Sequence, residues 1–117
     1  MLFVCYPKCS TCKDAQRWLE EHKLRYTVRD IKLDRPTVTE LRAWISLSKL
    51  PLKRFFNTSG LSYRTLSLKE RLPAMTEEDQ LMLLASDGML VKRPILVGDG
   101  FALIGFQPEI WAKELLN

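Results

Sequence analysis

Two cysteines with two residues between them, Cys9 and Cys12, are the residues of this chain best suited to chemistry. They follow a short apolar run at residues 2–6, which predicts a buried strand, and they open a helical pattern. A cysteine at such a junction lies at the positive end of the helix dipole, where a thiolate is stabilised. The spacing and its context therefore predict redox or nucleophilic thiol chemistry.

Cys9 is the predicted nucleophile because it should lie at the exposed helix N-terminus, between Lys8 and Lys13. Cys12 lies one helical turn further along and should be more buried and harder to ionise. Such a pair can form a disulfide, in which Cys9 attacks first and Cys12 resolves the adduct.

The basic segment that carries this pair is also the predicted anion-binding segment. Its positive charge and the helix N-terminus would stabilise negative charge that develops during the reaction. The residues assigned to anion or substrate binding are Lys8, Ser10, Thr11 and Lys13 of this segment, together with Pro94 further along the chain.

Other interpretations of the cysteines stay open at this point. Cys9 and Cys12 could be small packed residues at a helix start, or half of a zinc site. No second pair at ligand spacing follows them, however, and His22 is the only histidine. Cys5, inside the predicted strand, is expected to be a packed core residue.

Composition predicts one domain with a sizeable core, since the chain has 117 residues and 46% of them are hydrophobic. The first apolar run is too short for a signal peptide, and no run approaches the ~20 apolar residues of a membrane span. We therefore expect a cytoplasmic protein with no membrane association. Cytoplasmic cysteines are normally reduced, so three of them indicate chemistry or packing, not a disulfide framework.

The net charge of +4 is unevenly distributed along the chain. Residues 1–58 carry 12 Lys and Arg against 6 Asp and Glu, whereas residues 59–117 carry 6 against 8. The basic half, which contains the cysteines, suits small anions or an acidic protein partner. The basic residues are scattered and no nucleic-acid-binding motif accompanies them, so no direct nucleic-acid contact is expected.

Hydrophobic periodicity supplies the elements that would position the cysteines. One predicted helix starts with a capping box of Thr37 and Glu40, and another ends near Gly88, which suits a left-handed C-terminal cap. Short helical pieces are expected between residues 63 and 72. Strands are predicted over 2–6, 24–31, 94–97 and 101–104, and helices over about 11–22, 37–48, 76–87 and from Pro108.

This order gives a βαβ unit, several helices and then a ββα unit. With a cysteine pair after the first strand, it predicts an α/β, thioredoxin-like fold with a mixed sheet and an inserted helical lobe. We expect one domain over residues 1–117. Its thioredoxin-like core would cover about 1–36 and 88–117, and the helical insertion about 37–87.

Arg93 gains a predicted role from this fold. The loop that enters the third strand faces the cysteine pair in a thioredoxin-like domain, and here it carries Arg93 and Pro94. A cis bond at this proline would be a deliberate feature. Arg93 would then point at Cys9 and at a bound oxyanion, which its planar fork suits.

The chain resembles the arsenate reductase family ArsC, which also contains the Spx-type regulators. The resemblance spans essentially the whole chain. The matching segments are 6–13 (YPKCSTCK), 18–21 (WLEE), 90–97 (LVKRPILV), 104–106 (IGF) and 108–109 (PE).

The resemblance implies a thioredoxin-like sheet with a helical lobe, and it implies roles for some residues. In the family's reductases the first cysteine attacks arsenate while three arginines surround the oxyanion. Cys9 matches that cysteine and Arg93 matches the arginine before the proline. Asn57, and Phe106 or Gln107, stand where the family has the other two arginines.

Two functions from different classes follow from the resemblance. The first is a thiol-disulfide oxidoreductase that acts on a small oxyanion or disulfide, with glutathione and glutaredoxin or thioredoxin as the external reductant. It would be a monomer without a bound cofactor or metal. The second is a regulator like Spx, in which the cysteine pair is a redox switch and RNA polymerase is the partner. A third reading keeps the fold and makes the thiols structural.

Overall fold

The computed structural model describes residues 1–116. The strands are β1 (Leu2–Cys5), β2 (Thr27–Asp30), β3 (Ile95–Gly98) and β4 (Phe101–Ile104). The helices are α1 (Ser10–Glu21), α2 (Val38–Ser48), α3 (Leu61–Thr65), α4 (Leu68–Arg71), α5 (Glu77–Ser86) and α6 (Pro108–Leu115), with 3-10 turns at Leu52–Phe55, Leu72–Ala74 and Gly88–Leu90. Within residues 1–116, no helix has the length and apolar character to cross a bilayer.

The four strands form one mixed sheet in the order β2-β1-β3-β4. β1 runs parallel to β2 and antiparallel to β3, and β3 pairs with β4 as a hairpin. This is the arrangement of a βαβ unit joined to a ββα unit. It confirms the thioredoxin-like α/β fold expected from the order of elements.

Alternation along β1 divides the core into two clusters, because successive side chains point to opposite faces of a sheet. Phe3 and Cys5 face one cluster together with Cys12 of α1 and Trp111 of α6. Val4 faces the other cluster, which contains the buried residues of α2, α4 and α5. The helices between β2 and β3 thus cover one face of the sheet, while α1 and α6 cover the other.

The capping box and the helix starts lie close to their predicted positions. Thr37 accepts a hydrogen bond from the Glu40 amide at 3.1 Å, and the Glu40 carboxylate accepts one from the Thr37 amide at 3.0 Å. β2 is shorter than the predicted 24–31. The side chains of β2 are exposed or half-buried and do not alternate between buried and exposed. The apolar pattern over residues 24–31 therefore did not define the ends of this strand.

Gly88 does not form the left-handed cap predicted for it, since the glycines with positive φ are Gly100 and Gly105. Gly88 is instead buried at the start of a 3-10 turn. A Cβ atom there would lie 1.8 Å from the carbonyl oxygen of Ile31. The position therefore requires glycine because two backbone segments approach closely, which a single-residue pattern does not reveal.

Candidate functional site

Cys9 is the N-cap residue of α1, with an extended backbone at φ −91° and ψ 120°. Its Sγ accepts a hydrogen bond from the Cys12 backbone N–H at 3.3 Å. The first turn of the helix holds no carboxylate. A thiolate at Cys9 would therefore be stabilised by an N–H donor and by the positive end of the helix.

Cys12 is buried, with only 3% of its surface exposed. Burial raises the pKa of the Cys12 thiol to about 12, and the hydrogen bond and charge of Cys9 act in the same direction. The Tyr6 backbone N–H, 3.5 Å from Cys12 Sγ, opposes this shift. Cys12 is therefore a neutral thiol near pH 7, while Cys9 is the thiol that solvent and ligands can reach.

Cys5 lies on the same face of the sheet as Cys12 and packs in the same cluster. Burial raises the pKa of the Cys5 thiol, and the charges of Asp30 and Cys9 raise it further. A neutral, buried thiol of this kind behaves as a small apolar side chain, in line with the core role expected for it.

Arg93 precedes a cis peptide bond to Pro94, in the loop that enters β3. Its guanidinium carbon lies 5.2 Å from the centre of the Tyr6 ring, so cation–π contact fixes the orientation of the group. Arg93 Nε and Nη1 are buried and have no hydrogen-bond partner within residues 1–116. Buried guanidinium nitrogens without partners mark a place where an anion would be favoured.

Cys9 and Arg93 open into one cavity of about 370 Å³. Its walls come from the start of α1, from the loop before α3, from the loop before β3 and from the segment between β4 and α6. The lining residues are Cys9, Thr11, Asn57, Ser59, Gly60, Lys92, Arg93, Gly105, Phe106 and Gln107.

The structure brings some of the predicted site residues together and leaves others apart. Thr11 lines the cavity with Cys9 and Arg93. Pro94 is buried behind it, where its carbonyl accepts a hydrogen bond from the Gly105 amide at 2.8 Å. Three further predicted residues, Lys8, Ser10 and Lys13, are exposed and are not among those that line the cavity.

Lys92 is a cation of the site to which the sequence assigned no role. A Cβ atom at Gly105 would lie 3.0 Å from Lys92 Cε, so the lysine stem passes close over this glycine. Gly105 also has a positive φ of 68°. The glycine in the segment Ile104–Phe106 was the available signal, but its partner, Lys92, lies thirteen residues earlier in the chain.

The residues that the resemblance placed at the positions of the family's other two arginines also line the cavity. Asn57 contributes from the loop before α3, and Phe106 and Gln107 contribute from the segment before α6. Asn57 is held by its backbone amide, which donates to the Leu90 carbonyl at 2.8 Å. The positive charge of the lining comes from Lys92 and Arg93.

The zinc alternative has no cluster of ligands to support it. Within residues 1–116, no group of three or more His, Cys, Asp and Glu side chains is placed to hold a metal ion. His22 lies at the C-terminal end of α1, where its ring stacks on Trp18 with the ring centres 4.1 Å apart.

Comparison with known sequences gives matches over nearly the whole chain. The model of the ArsC family matches residues 5–113. YusI of Bacillus subtilis (strain 168) is 48% identical over 93% of this chain and 92% of its own length. The regulatory protein MgsR of the same strain is 30% identical over 92% and 84%. The global transcriptional regulator Spx of Staphylococcus epidermidis is 23% identical over 88% and 77%.

Solved structures also match this chain over nearly its whole length. An ArsC family related protein from Bacteroides fragilis superimposes with a TM-score of 0.94 and 57% identity, over 96% of this chain and 94% of that one. A possible arsenate reductase from Streptococcus mutans superimposes with a TM-score of 0.84 and 47% identity, over 91% and 90%.

Proposed function

The chain belongs to the ArsC family, and we propose that it is a thiol-disulfide oxidoreductase with Cys9 as its nucleophile and Cys12 as its resolving cysteine. One observation carries this proposal. An accessible sulfur at a helix N-terminus shares a cavity with Arg93, whose buried Nε and Nη1 lack partners. The two groups are those that an attacking thiolate and an anionic reactant need.

The first step is attack by the Cys9 thiolate on the electrophilic atom of the substrate. With arsenate, a sulfur–arsenic bond forms and one arsenate oxygen leaves as water after protonation. With a disulfide, a sulfur–sulfur bond forms and one thiolate leaves. Arg93 and the N-terminus of α1 would stabilise the negative charge on the reacting group.

The second step is attack by Cys12 on Cys9 Sγ. The bond from Cys9 to the substrate breaks, and its electron pair leaves with arsenite or with the second thiolate. Two thiols are thereby oxidised to one Cys9–Cys12 disulfide, and the substrate gains two electrons. The negative charge of Cys9 raises the pKa of Cys12, so formation of the adduct, which removes that charge, favours ionisation of Cys12. This supports the order in which Cys9 attacks first.

The disulfide must then be reduced by an external thiol system. Glutathione with glutaredoxin, or thioredoxin, would supply two electrons and two protons. No cofactor or metal takes part in the scheme. The exposed position of Cys9 relative to Cys12 makes the Cys9 sulfur the one that a reducing protein would attack.

The test is a thiol oxidation assay with arsenate and with a disulfide substrate, in which the glutaredoxin and thioredoxin systems are supplied separately. Turnover with either system would support the proposal and identify the electron donor. Cys9→Ser should abolish turnover, and Cys12→Ser should stop at a mixed disulfide or require added glutathione. Full activity of the Cys9→Ser protein would exclude this mechanism.

A second candidate function is a redox-switched regulator that binds RNA polymerase without turnover. The relatives named as regulators, MgsR and Spx, favour it, because they match most of the chain. The cysteine pair would then act as a switch whose oxidation changes the surface around the start of α1.

Affinity capture of RNA polymerase by the reduced and the oxidised protein distinguishes this candidate. Capture that depends on oxidation, together with no turnover in the assay above, would support it. Failure to capture polymerase in either redox state would exclude it. A Cys12→Ala variant, which cannot form the disulfide, should lose the dependence on oxidation.

A further inference from the structure

The cavity beside Cys9 is larger than an oxyanion requires. Its volume of about 370 Å³ lies within the range of roughly 300–1,000 Å³ that is typical of pockets for organic ligands. An ion of arsenate size in contact with Cys9 would leave most of this space to water. The cavity therefore has room for an organic substituent on the group that Cys9 attacks.

The charges of the lining limit what that substituent carries. Lys92 and Arg93 are cations, and no carboxylate is among the lining residues. An ionised Cys9 offsets one positive charge, which leaves the equivalent of one cation for the ligand. A single carboxylate balances this charge, whereas arsenate, like phosphate, carries more than one negative charge near neutral pH.

Arg93 is oriented before a ligand arrives, and the stem of Lys92 follows a defined path into the same cavity. Arg93 stacks on Tyr6, and its two buried nitrogens lack partners within residues 1–116. The Lys92 stem passes over Gly105, where a Cβ atom would lie only 3.0 Å away. A guanidinium oriented in this way, with an ammonium beside it, can bind a carboxylate through charge-assisted hydrogen bonds.

The remaining lining suits the uncharged part of an organic molecule. Phe106 offers apolar surface, and Asn57 and Gln107 offer neutral hydrogen-bonding groups. By the resemblance, Asn57 and Phe106 or Gln107 stand where the family has two of its three arginines, and Arg93 is the one arginine of the three among the lining residues. Contact between a carbon chain and these uncharged residues costs little free energy of desolvation, because no charged group has to lose its water.

We infer that the substrate of this site is a small organic disulfide that carries a carboxylate a few bonds from its sulfur atoms. The inference rests on the proposed function, because it requires Cys9 and Cys12 as the reacting pair. The carboxylate would contact Lys92 and Arg93 while the nearer sulfur meets Cys9. Disulfide exchange also conserves the single negative charge of the thiolate, so no further cation is needed.

The reaction balances without another reactant. The Cys9 thiolate attacks one sulfur, the substrate S–S bond breaks, and the first thiolate leaves and takes a proton. Cys12 then transfers its proton to solvent and attacks Cys9 Sγ, and the second thiolate leaves. One organic disulfide becomes two thiols, and the two cysteines become one disulfide, which an external dithiol reduces.

Three disulfides of matched length test the charge preference: 3,3′-dithiodipropionate, 2-hydroxyethyl disulfide and cystamine, which end in a carboxylate, a hydroxyl and an ammonium. Each is mixed with reduced protein, and formation of the Cys9–Cys12 disulfide is followed by mass spectrometry after acid quenching. Each rate is divided by the rate of the same disulfide with dithiothreitol. Arsenate at equal concentration is the fourth probe.

We expect the corrected rate to be about tenfold higher for the carboxylate than for the hydroxyl compound, the factor that one charge-assisted contact supplies, and lowest for the ammonium compound. Lys92→Gln should reduce the carboxylate preference at least about threefold. Lys69→Gln is the matched control, since it removes the same charge from α4, outside the cavity, and should leave the preference unchanged.

Equal corrected rates for the three disulfides would overturn the inference, and so would faster oxidation by arsenate than by 3,3′-dithiodipropionate. In both cases the Cys9–Cys12 disulfide still forms, so the proposed function stands. Failure of every probe to form that disulfide would instead overturn the proposed function, and the inference with it.

Discussion

At the scale of single residues, Cys12 is the group whose ionisation should control the second half of the reaction. Its pKa is raised to about 12, first by burial, so its thiolate fraction near neutral pH is small and grows about tenfold per pH unit. Loss of the Cys9 charge in an adduct lowers this pKa, but the burial remains. Breakdown of a Cys9 mixed disulfide by Cys12 should therefore accelerate steadily up to about pH 9.

This prediction can be checked by preparing the mixed disulfide of Cys9 with a small thiol and following its loss by mass spectrometry at several pH values. Cys12→Ser is the control, because it lacks the resolving thiol and should retain the adduct. A rate that levels off below pH 8 would show that Cys12 ionises more easily than its buried position implies.

Arg93 should be sensitive even to a substitution that keeps its charge. Arg93→Lys retains a cation but removes the planar fork and its stacking on Tyr6. We expect the rate of Cys9–Cys12 disulfide formation to fall about a hundredfold, as for loss of one preorganised donor. Rapid quenching gives the rate, and Arg64→Lys in α3 serves as a control outside the cavity. An unchanged rate in Arg93→Lys would show that charge alone is sufficient.

At the scale of elements, a half-buried ion pair joins β2 to α2. The Arg29 guanidinium donates to both oxygens of Glu40, at 2.5 and 2.9 Å. These hydrogen bonds lower the pKa of Glu40 to about 2. Because the pKa is lower in the folded protein, the contribution to stability is complete above the ordinary value of 4.5 and is lost as the pH falls towards 2.

Glu40→Gln should therefore lower the free energy of unfolding at pH 7 by about 1–2 kcal/mol, a figure reduced for solvent screening because 34% of the Glu40 side chain is exposed. The amide oxygen can still accept the Thr37 backbone N–H, so the helix cap is retained. Urea unfolding at pH 7 and pH 3 gives the measurement, and the difference between variant and parent should shrink at pH 3.

The matched control is Glu78→Gln, which removes one carboxylate of the exposed pair with Arg42. This pair joins two helices at the surface, where solvent screens the interaction, so its loss should have a much smaller effect. Equal destabilisation by the two substitutions would show that the Arg29–Glu40 pair stabilises the fold no more than an exposed ion pair does.

At the scale of the whole molecule, the helical insertion is flanked by Ile31, which follows β2, and by Gly88, which follows α5. The two segments touch there, since a Cβ atom at Gly88 would lie 1.8 Å from the Ile31 oxygen and 2.7 Å from its carbonyl carbon. The contact holds the two ends of the helical insertion together next to the sheet. Gly88→Ala would force the two chain segments apart.

We expect Gly88→Ala to reduce the free energy of unfolding by about 3 kcal/mol, the upper part of the usual range for overpacking. Gly100→Ala is the comparison, because Gly100 has a φ of +81° but open space around it, which costs only about 1 kcal/mol. Thermal and chemical unfolding measure both. A Gly88→Ala protein as stable as Gly100→Ala would mean that the junction relaxes easily.

The sequence predicted the order of elements well, because apolar periodicity, capping pairs such as Thr37 and Glu40, and the proline near the start of α6 are local signals. It predicted the position of Cys9 and the burial of Cys12 for the same reason. Local patterns do not report which loops meet, so the sequence did not reveal that Lys92 crosses Gly105 or that Gly88 contacts Ile31. Both depend on approaches between distant segments.

The separation of the core into two clusters has an optical consequence. Trp111 shares its cluster with Cys12, and Trp18 packs against that cluster with its ring centre 6.0 Å from that of Trp111. Trp44 belongs to the cluster on the opposite face of the sheet. The indoles near the thiols can thus serve as an intrinsic fluorescence reporter of the cysteine pair, and no dye needs to be attached.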